Sequence, residues 1–149
     1  MLHLKRTDSS DPDFISLVHL LDADLAIRDG EDHAFYAQYN KVDSIRHVVV
    51  AYEEGAPIGC GAFKPFDEHS VEIKRMFVLP ELRGQGIAVA VLTELEAWAS
   101  ESGYAKCVLE TGKKQPEAIR LYEKSRYETI PNFGQYAGVE NSVCMEKII

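Results

Sequence analysis

Apolar and polar residues alternate from Leu2 to Arg6, the pattern of a strand with one buried face. After Asp11-Pro12 the period lengthens, and Phe14, Ile15, Leu17, Val18 and Leu21 fall on one side of a helix. A second, short helix is expected between Leu25 and Asn40, carrying Phe35, Tyr36 and Tyr39 and bounded by the Asp29-Gly30 break. The β-branched run His47 to Tyr52 turns at Glu53-Glu54-Gly55-Ala56 and returns from Pro57 to Phe63 as a hairpin. A polar loop from Pro65 to Ser70 then leads into a long strand, Val71 to Leu79.

The clearest helix runs from Gly86 to Ser102. Ile87, Val91, Leu95 and Trp98 form a stripe at helical spacing, with Leu92 and Ala99 beside it, and Gly103 stops it. Ala105 to Glu110 reads as a short buried strand. Pro116 opens a helix that runs through Ser125, with Ala118, Ile119, Leu121 and Tyr122 on or near its inner side. Arg126 to Ile130 and Ser142 to Ile148 close the chain as two strands around a loop from Pro131 to Val139. The order β-α-α-β-β-β-α-β-α-β-β predicts a mixed α/β fold. With no repeat and no linker, residues 1–149 are expected to form a single domain.

Composition narrows the partners. A chain of 149 residues, 46% hydrophobic, can bury a real core. No run nears the roughly 20 apolar residues of a membrane span, and Met1-Leu2-His3-Leu4-Lys5-Arg6 lacks a signal-peptide core, so no membrane partner is expected. Cys60, Cys107 and Cys144 are odd in number and sit in expected strands, which points to buried, reduced thiols and a cytoplasmic location. There is no C-x-x-C pair, and His3, His19, His33, His47 and His69 are scattered, so no metal site is expected. A formal charge of −8 argues against nucleic acid and mildly favours a cationic substrate such as an amine.

The candidate chemistry gathers where the long strand meets the long helix. Val78-Leu79-Pro80-Glu81-Leu82-Arg83-Gly84-Gln85-Gly86-Ile87-Ala88 joins an apolar strand to a helix through a basic, glycine-rich turn. The first N–H groups of a helix lack partners and carry partial positive charge, so they attract phosphate. Gly84 and Gly86 remove the Cβ atoms that would hold a phosphate away, and Arg83 adds a planar cation able to grip its oxygens. The segment therefore predicts a pyrophosphate cradle, although an ordinary strand-to-helix turn shares much of its composition. A dinucleotide fingerprint begun at Gly84 would need a small residue where Val89 stands. A P-loop would need Gly-Lys-Ser/Thr in place of Val89-Ala90-Val91.

The pattern that fits is R-x-x-G-x-A, read at Arg83, Gly86 and Ala88; it resembles the coenzyme A loop of the GNAT N-acetyltransferase family, Q/R-x-x-G-x-G/A. Downstream, Gln115-Pro116-Glu117-Ala118-Ile119-Arg120-Leu121-Tyr122-Glu123-Lys124 resembles the family helix N-x-x-A-I-x-L-Y-E-K. The likeness extends from Val48 to Ile148, while the earlier part matches only in layout. Two departures stand out. Gln115 replaces the usual Asn, and Arg126 takes the place of a helix-ending glycine, a left-handed position where Arg costs about 1 kcal/mol.

The resemblance implies an acyl-CoA N-acyltransferase fold: a mostly antiparallel sheet whose fourth and fifth strands splay apart to admit the pantetheine arm. It implies that Met76, Phe77 and Val78 meet that arm and that Arg83, Gly84, Gln85, Gly86, Ile87 and Ala88 hold the phosphates. Gln115 joins the cofactor contacts, and acetyl-CoA is the implied co-substrate. The same likeness puts Tyr122 beside the coenzyme A sulfur as general acid. Read from its helix alone, Tyr122 fits better as a core tyrosine with its hydroxyl at the surface, and it is the resemblance that favours the acid role.

Acetyl transfer from a thioester needs a neutral amine, a stabilised oxyanion and a tolerated thiolate. A lysine-like amine of pKa about 10.4 is mostly charged at pH 7, which puts roughly 4–5 kcal/mol on the reaction, so a base is useful. Glu72, on the strand leading to the cofactor, and Glu110, ending the neighbouring strand, compete for that role with ordered water. Lys74 and Arg75 flank the same strand and can pair with these acids. A tyrosine of pKa about 10 gives its proton to a thiolate of about 8.5 only uphill, by roughly 2 kcal/mol, so hydrogen bonding counts for more than full transfer.

On the acceptor side, the resemblance points to the early helical region with Asp22, Asp24, Arg28 and Glu31. Tyr136, after the Asn132-Phe133-Gly134-Gln135 turn, is a further candidate to reach over the acceptor, with a solvated helix face and a structural aromatic as the alternative readings. The expected activity is acetylation of a small-molecule amine. Protein N-terminal or lysine acetylation and a non-catalytic acyl-CoA sensor are the alternatives. Family members often form homodimers, but no stripe in this chain demands one.

Overall fold

The computed structural model describes residues 1–30 and 44–149. Its elements are β1 (Leu2–Thr7), α1 (Pro12–Asp29), β2 (His47–Glu53), β3 (Ala56–Pro65), β4 (Ser70–Val78), α2 (Ile87–Glu101), β5 (Lys106–Gly112), α3 (Pro116–Lys124), β6 (Glu128–Ile130) and β7 (Ser142–Ile148). Among the described residues, seven strands form one sheet in the order β1-β2-β3-β4-β5-β7-β6. Only β4 and β5 run parallel; every other pairing is antiparallel. The expected mixed α/β sheet is thus observed.

Helices cover both faces because the strands are apolar on both. On one side Phe14, Leu17, Val18 and Leu21 of α1 pack on Val48, Val50, Cys60, Ala62 and Phe77. On the other, Val91, Leu92, Leu95 and Ala99 of α2 join Tyr122 of α3 against Val49, Phe63, Val71, Ile73, Leu109 and Met145. Asp11 caps α1, its side chain accepting from the Asp13 and Phe14 amides. Ile15 stays 41% exposed, so the apolar face of α1 is narrower than its spacing predicts.

One element differs from the sequence reading. Leu25 does not begin a new helix but belongs to α1, which runs unbroken to Asp29. The Asp29-Gly30 break ends that helix. Phe35, Tyr36 and Tyr39 lie outside the described residues.

The pairing of β4 with β5 fixes the position of the site. It spans only Ser70↔Lys106, Val71↔Cys107 and Glu72↔Val108. Beyond Glu72, β4 keeps its bonds to β3 and β5 keeps its bonds to β7, and the two part company. A bulge lies just past the split. Cys60 faces Phe77 while Ala62 faces Lys74, so Arg75 and Met76 share the place opposite Gly61. Arg75 adopts φ 59, and the extra residue resets the alternation: Val71 and Ile73 face α2, yet Phe77 faces α1. Gly61 admits the bulge, since a Cβ there would overlap the Met76 sulfur and stand 2.8 Å from Leu95 Cδ1.

Candidate active site

Two cavities open where β4 and β5 separate. The larger, about 420 Å³, runs along the end of β4 towards the start of α2. The smaller, about 110 Å³, lies between Glu72 on β4 and Glu110 on β5. Met76, Gln115, Ala118 and Tyr122 line both, so the cavities meet at these side chains.

The larger cavity collects most of the residues expected to hold coenzyme A. Met76, Phe77, Val78, Arg83, Gly84, Gly86, Ile87, Ala88 and Gln115 all line it. Gln85 sits exposed in the same turn but is not part of the wall. Gly86 precedes α2 with φ 84, and no side chain caps that helix. Ala90 is the first amide to reach back, to the Gly86 carbonyl at 3.0 Å, so the amides of Ile87, Ala88 and Val89 have no carbonyl within the helix to bond. A Cβ on Gly84 or Gly86 would meet nothing within 4 Å, which leaves open space in front of the turn. An anion fits here by backbone geometry alone.

Arg83 is more committed than its sequence context implies. Its Nε donates to the Val78 carbonyl at 2.9 Å and its guanidinium lies over the Phe77 ring at 5.5 Å. Nη2 stands 3.7 Å from an Asp24 carboxylate oxygen, with both side chains about one-third exposed and solvent weakening the attraction. These contacts fold the cation across the end of β4, at the cavity mouth.

Tyr122 is buried at the junction. Burial, and next the Glu110 charge, hold its hydroxyl above the ordinary tyrosine pKa, so it carries its proton throughout the neutral range. The same shift makes complete transfer of that proton to a thiolate harder. Hydrogen-bond donation is therefore the stronger contribution this group can make.

Both predicted carboxylates line the smaller cavity. Glu72 is buried and lies 3.7 Å from Lys74, whose own pKa is lowered by burial. Glu110 is half-buried, and its charge acts on both Tyr122 and Tyr136. Tyr136 is also buried and lines the same cavity. Asp22 reaches the site indirectly, through an ion pair with Arg75 at 2.8 Å. Glu31 and the side chain of Arg28 lie outside the described residues.

Arg75 also lines this cavity, and its ion pair is with Asp22 and not with the glutamates that local patterning suggested. A signal existed: Glu72 and Lys74 keep the alternation of β4, and the second cation, next to Lys74, breaks it. Its partner Asp22 lies 53 residues away, a separation that no local spacing can reveal.

A sheet split between its parallel strands, with an uncapped glycine-led helix at one end of the gap, defines an acyl-CoA-binding architecture. The chain belongs to the acetyltransferase (GNAT) family, whose model matches residues 14–126. It is 38% identical over 100 residues to an IAA acetyltransferase of Azospirillum brasilense, an alignment covering 66% of this chain and 65% of that protein. The matching stretch thus spans just under two thirds of that relative. In three dimensions the chain resembles a Klebsiella pneumoniae protein assigned to the acyl-CoA N-acyltransferases, with TM-score 0.83 and 29% identity over 99% of this chain and 97% of the other. A GNAT acetyltransferase of Elizabethkingia anophelis, solved with acetyl-CoA bound, shares the fold at TM-score 0.69 and 17% identity, over 99% of this chain and 98% of the other.

Proposed function

We propose that this protein transfers an acetyl group from acetyl-CoA to the primary amine of a small molecule, by direct attack within a ternary complex. The observation that carries the reading is the end of β4–β5 pairing at Glu72↔Val108, which opens two joined cavities instead of one. Acetyl-CoA, when bound, supplies an acetyl group activated as a thioester. The amides of Ile87, Ala88 and Val89, the open turn at Gly84 and Gly86, and Arg83 at the mouth would hold its phosphates; Gln85 contributes from the exposed side of the turn. The unpaired edge of β4 at Met76, Phe77 and Val78 would meet the pantetheine arm, with Gln115 across the cleft.

Tyr122 then lies where the two cavities meet and has a hydroxyl proton to offer. Its hydroxyl donates to the sulfur that leaves as the carbon–sulfur bond breaks. Glu110 takes the proton that the amine sheds as the carbon–nitrogen bond forms. We favour Glu110 over Glu72, because the Glu72 carboxylate is already engaged by the Lys74 ammonium at 3.7 Å. Direct attack is supported by the state of the thiols. Cys60, Cys107 and Cys144 are all buried, and burial pushes Cys60 up to about 12 and Cys107 up to about 11, which leaves little thiolate to carry an acetyl group. The smaller cavity, about 110 Å³, suits a small acceptor better than a protein surface.

A thiol-release assay with acetyl-CoA and a panel of amines, amino acids and peptides tests this. Turnover with free small amines is expected. Turnover with peptides alone would replace the reading with protein acetylation, and coenzyme A binding without any turnover would leave a sensor.

A further inference from the structure

Arg75 holds a cation in the wall of the smaller cavity, with its side chain 3% exposed. Nη1 bonds Asp22 at 2.8 Å, and Asp22 is itself 49% exposed, so water spreads much of its charge. Nη2 is cut off from bulk solvent and has no hydrogen-bond partner among the described residues. Leaving a charged donor unmet is costly, and the backbone adds strain, because Arg75 occupies the left-handed region at φ 59. A residue kept in so unfavourable a state, one residue before Met76 at the cavity junction, calls for an occupant that completes it.

We infer that Arg75 receives the carboxylate of the acceptor, and that the acceptor is a small free amino acid; this rests on the acetyl-transfer reading above. The charges of the cavity support a zwitterion. Lys74 and Arg75 supply two cations, Glu72 and Glu110 two carboxylates, and a neutral ligand with one charge of each sign fits that balance. A phosphate dianion would face both glutamates. A simple cationic amine would leave Nη2 as it stands. Bound with its carboxylate on Arg75, the amino acid turns its ammonium end towards Glu110 and Tyr122, where the proton is to be removed.

The test compares free α-amino acids with their α-carboxamides as acceptors for the whole protein, with acetyl-CoA and thiol release as the readout. The carboxamide's amine loses its proton more readily, so a preference for the carboxylate cannot arise from amine reactivity. At least one amino acid is expected to exceed its carboxamide by about 10- to 100-fold in kcat/KM, mostly through KM. R75Q should erase that ratio, and R75K should restore part of it.

Should R75Q fail to fold, calorimetry on the unmodified protein with coenzyme A present decides the matter, with N-acetyl amino acids and their amides as probes. Tighter binding of the acids supports the inference. Equal binding, or a preference for amides in rate and affinity, overturns it and leaves Arg75 a structural residue satisfied by water. Coenzyme A binding with no carboxylate preference sinks only this inference. Failure to bind coenzyme A sinks the transferase reading, and the acid–amide comparison still judges Arg75 alone.

Discussion

The amide of Tyr127 donates to the carbonyl of Tyr122 at 2.9 Å, and the two rings meet edge to face with centroids 5.8 Å apart. This bond, with that from the Arg126 amide to Glu123 at 3.1 Å, closes α3 in a Schellman motif and puts Arg126 at the left-handed position, φ 74. Tyr127 is anchored in turn. Its hydroxyl donates to Glu96 of α2 at 2.9 Å, and Lys147 of β7 pairs with the same carboxylate at 2.9 Å. The proposed acid Tyr122 is thus positioned from its C-terminal side by contacts reaching α2 and the sheet.

Arg126 fits that position badly. R126G is expected to stabilise the protein by about 0.5 kcal/mol, less than the full left-handed penalty because glycine also frees the unfolded chain. Urea unfolding of the two proteins measures this; a loss of stability would mean that the arginine side chain makes a contact worth more than the strain.

Removing the Tyr122 hydroxyl tests its chemical role. Y122F should lower kcat by about one to three orders of magnitude while changing coenzyme A affinity by less than about threefold. Steady-state kinetics and calorimetry on the same preparation separate the two effects. An unchanged kcat would return Tyr122 to a packing role.

Gly86 separates binding from folding. A methyl group there meets no protein atom within 4 Å, so G86A should fold with only the strain of φ 84, about 1 kcal/mol. That methyl would stand before the open amides of α2 and is expected to weaken coenzyme A binding by about tenfold or more, or at least 1.4 kcal/mol. Unaltered affinity would move the phosphates elsewhere.

His47 supplies a pH dependence remote from the site. It stacks on Phe63 at 4.4 Å and meets the edge of Trp98 at 4.7 Å, and burial, then the Arg46 charge, lower its pKa below the ordinary 6.5. The unfolded chain therefore takes up a proton that the folded one refuses. Stability is full above pH 6.5 and falls as the pH drops from there through the lowered value. Thermal unfolding between about pH 7 and 5 should show this decline, and H47F should flatten it. A parallel decline in the variant would assign it to the carboxylates.

Where side-chain pattern dictates structure, the sequence was readable. The stripe Ile87, Val91, Leu95 with Gly103 beyond it is α2, closed by a second Schellman motif in which Tyr104 reaches the Ala99 carbonyl at 3.0 Å. The turn at Glu54-Gly55 takes left-handed φ values of 49 and 82, as a tight hairpin requires. The cradle glycines, Tyr122 and both glutamates could be picked out from motif and family likeness, and all of them line the two cavities. The splay itself was not, because backbone pairing that stops at Glu72 leaves no mark on side-chain identity; only the family likeness implied it. The Arg75–Asp22 pair escaped because a bulge and an ion pair 53 residues distant are both tertiary facts.

The most direct measurement is a calorimetric titration of the intact protein with acetyl-CoA. Saturable binding of one molecule per chain, with Kd on the order of 10 µM, is the expected result. If millimolar acetyl-CoA yields neither heat nor any rise in the melting temperature, the gap between β4 and β5 is not a thioester site and the account fails.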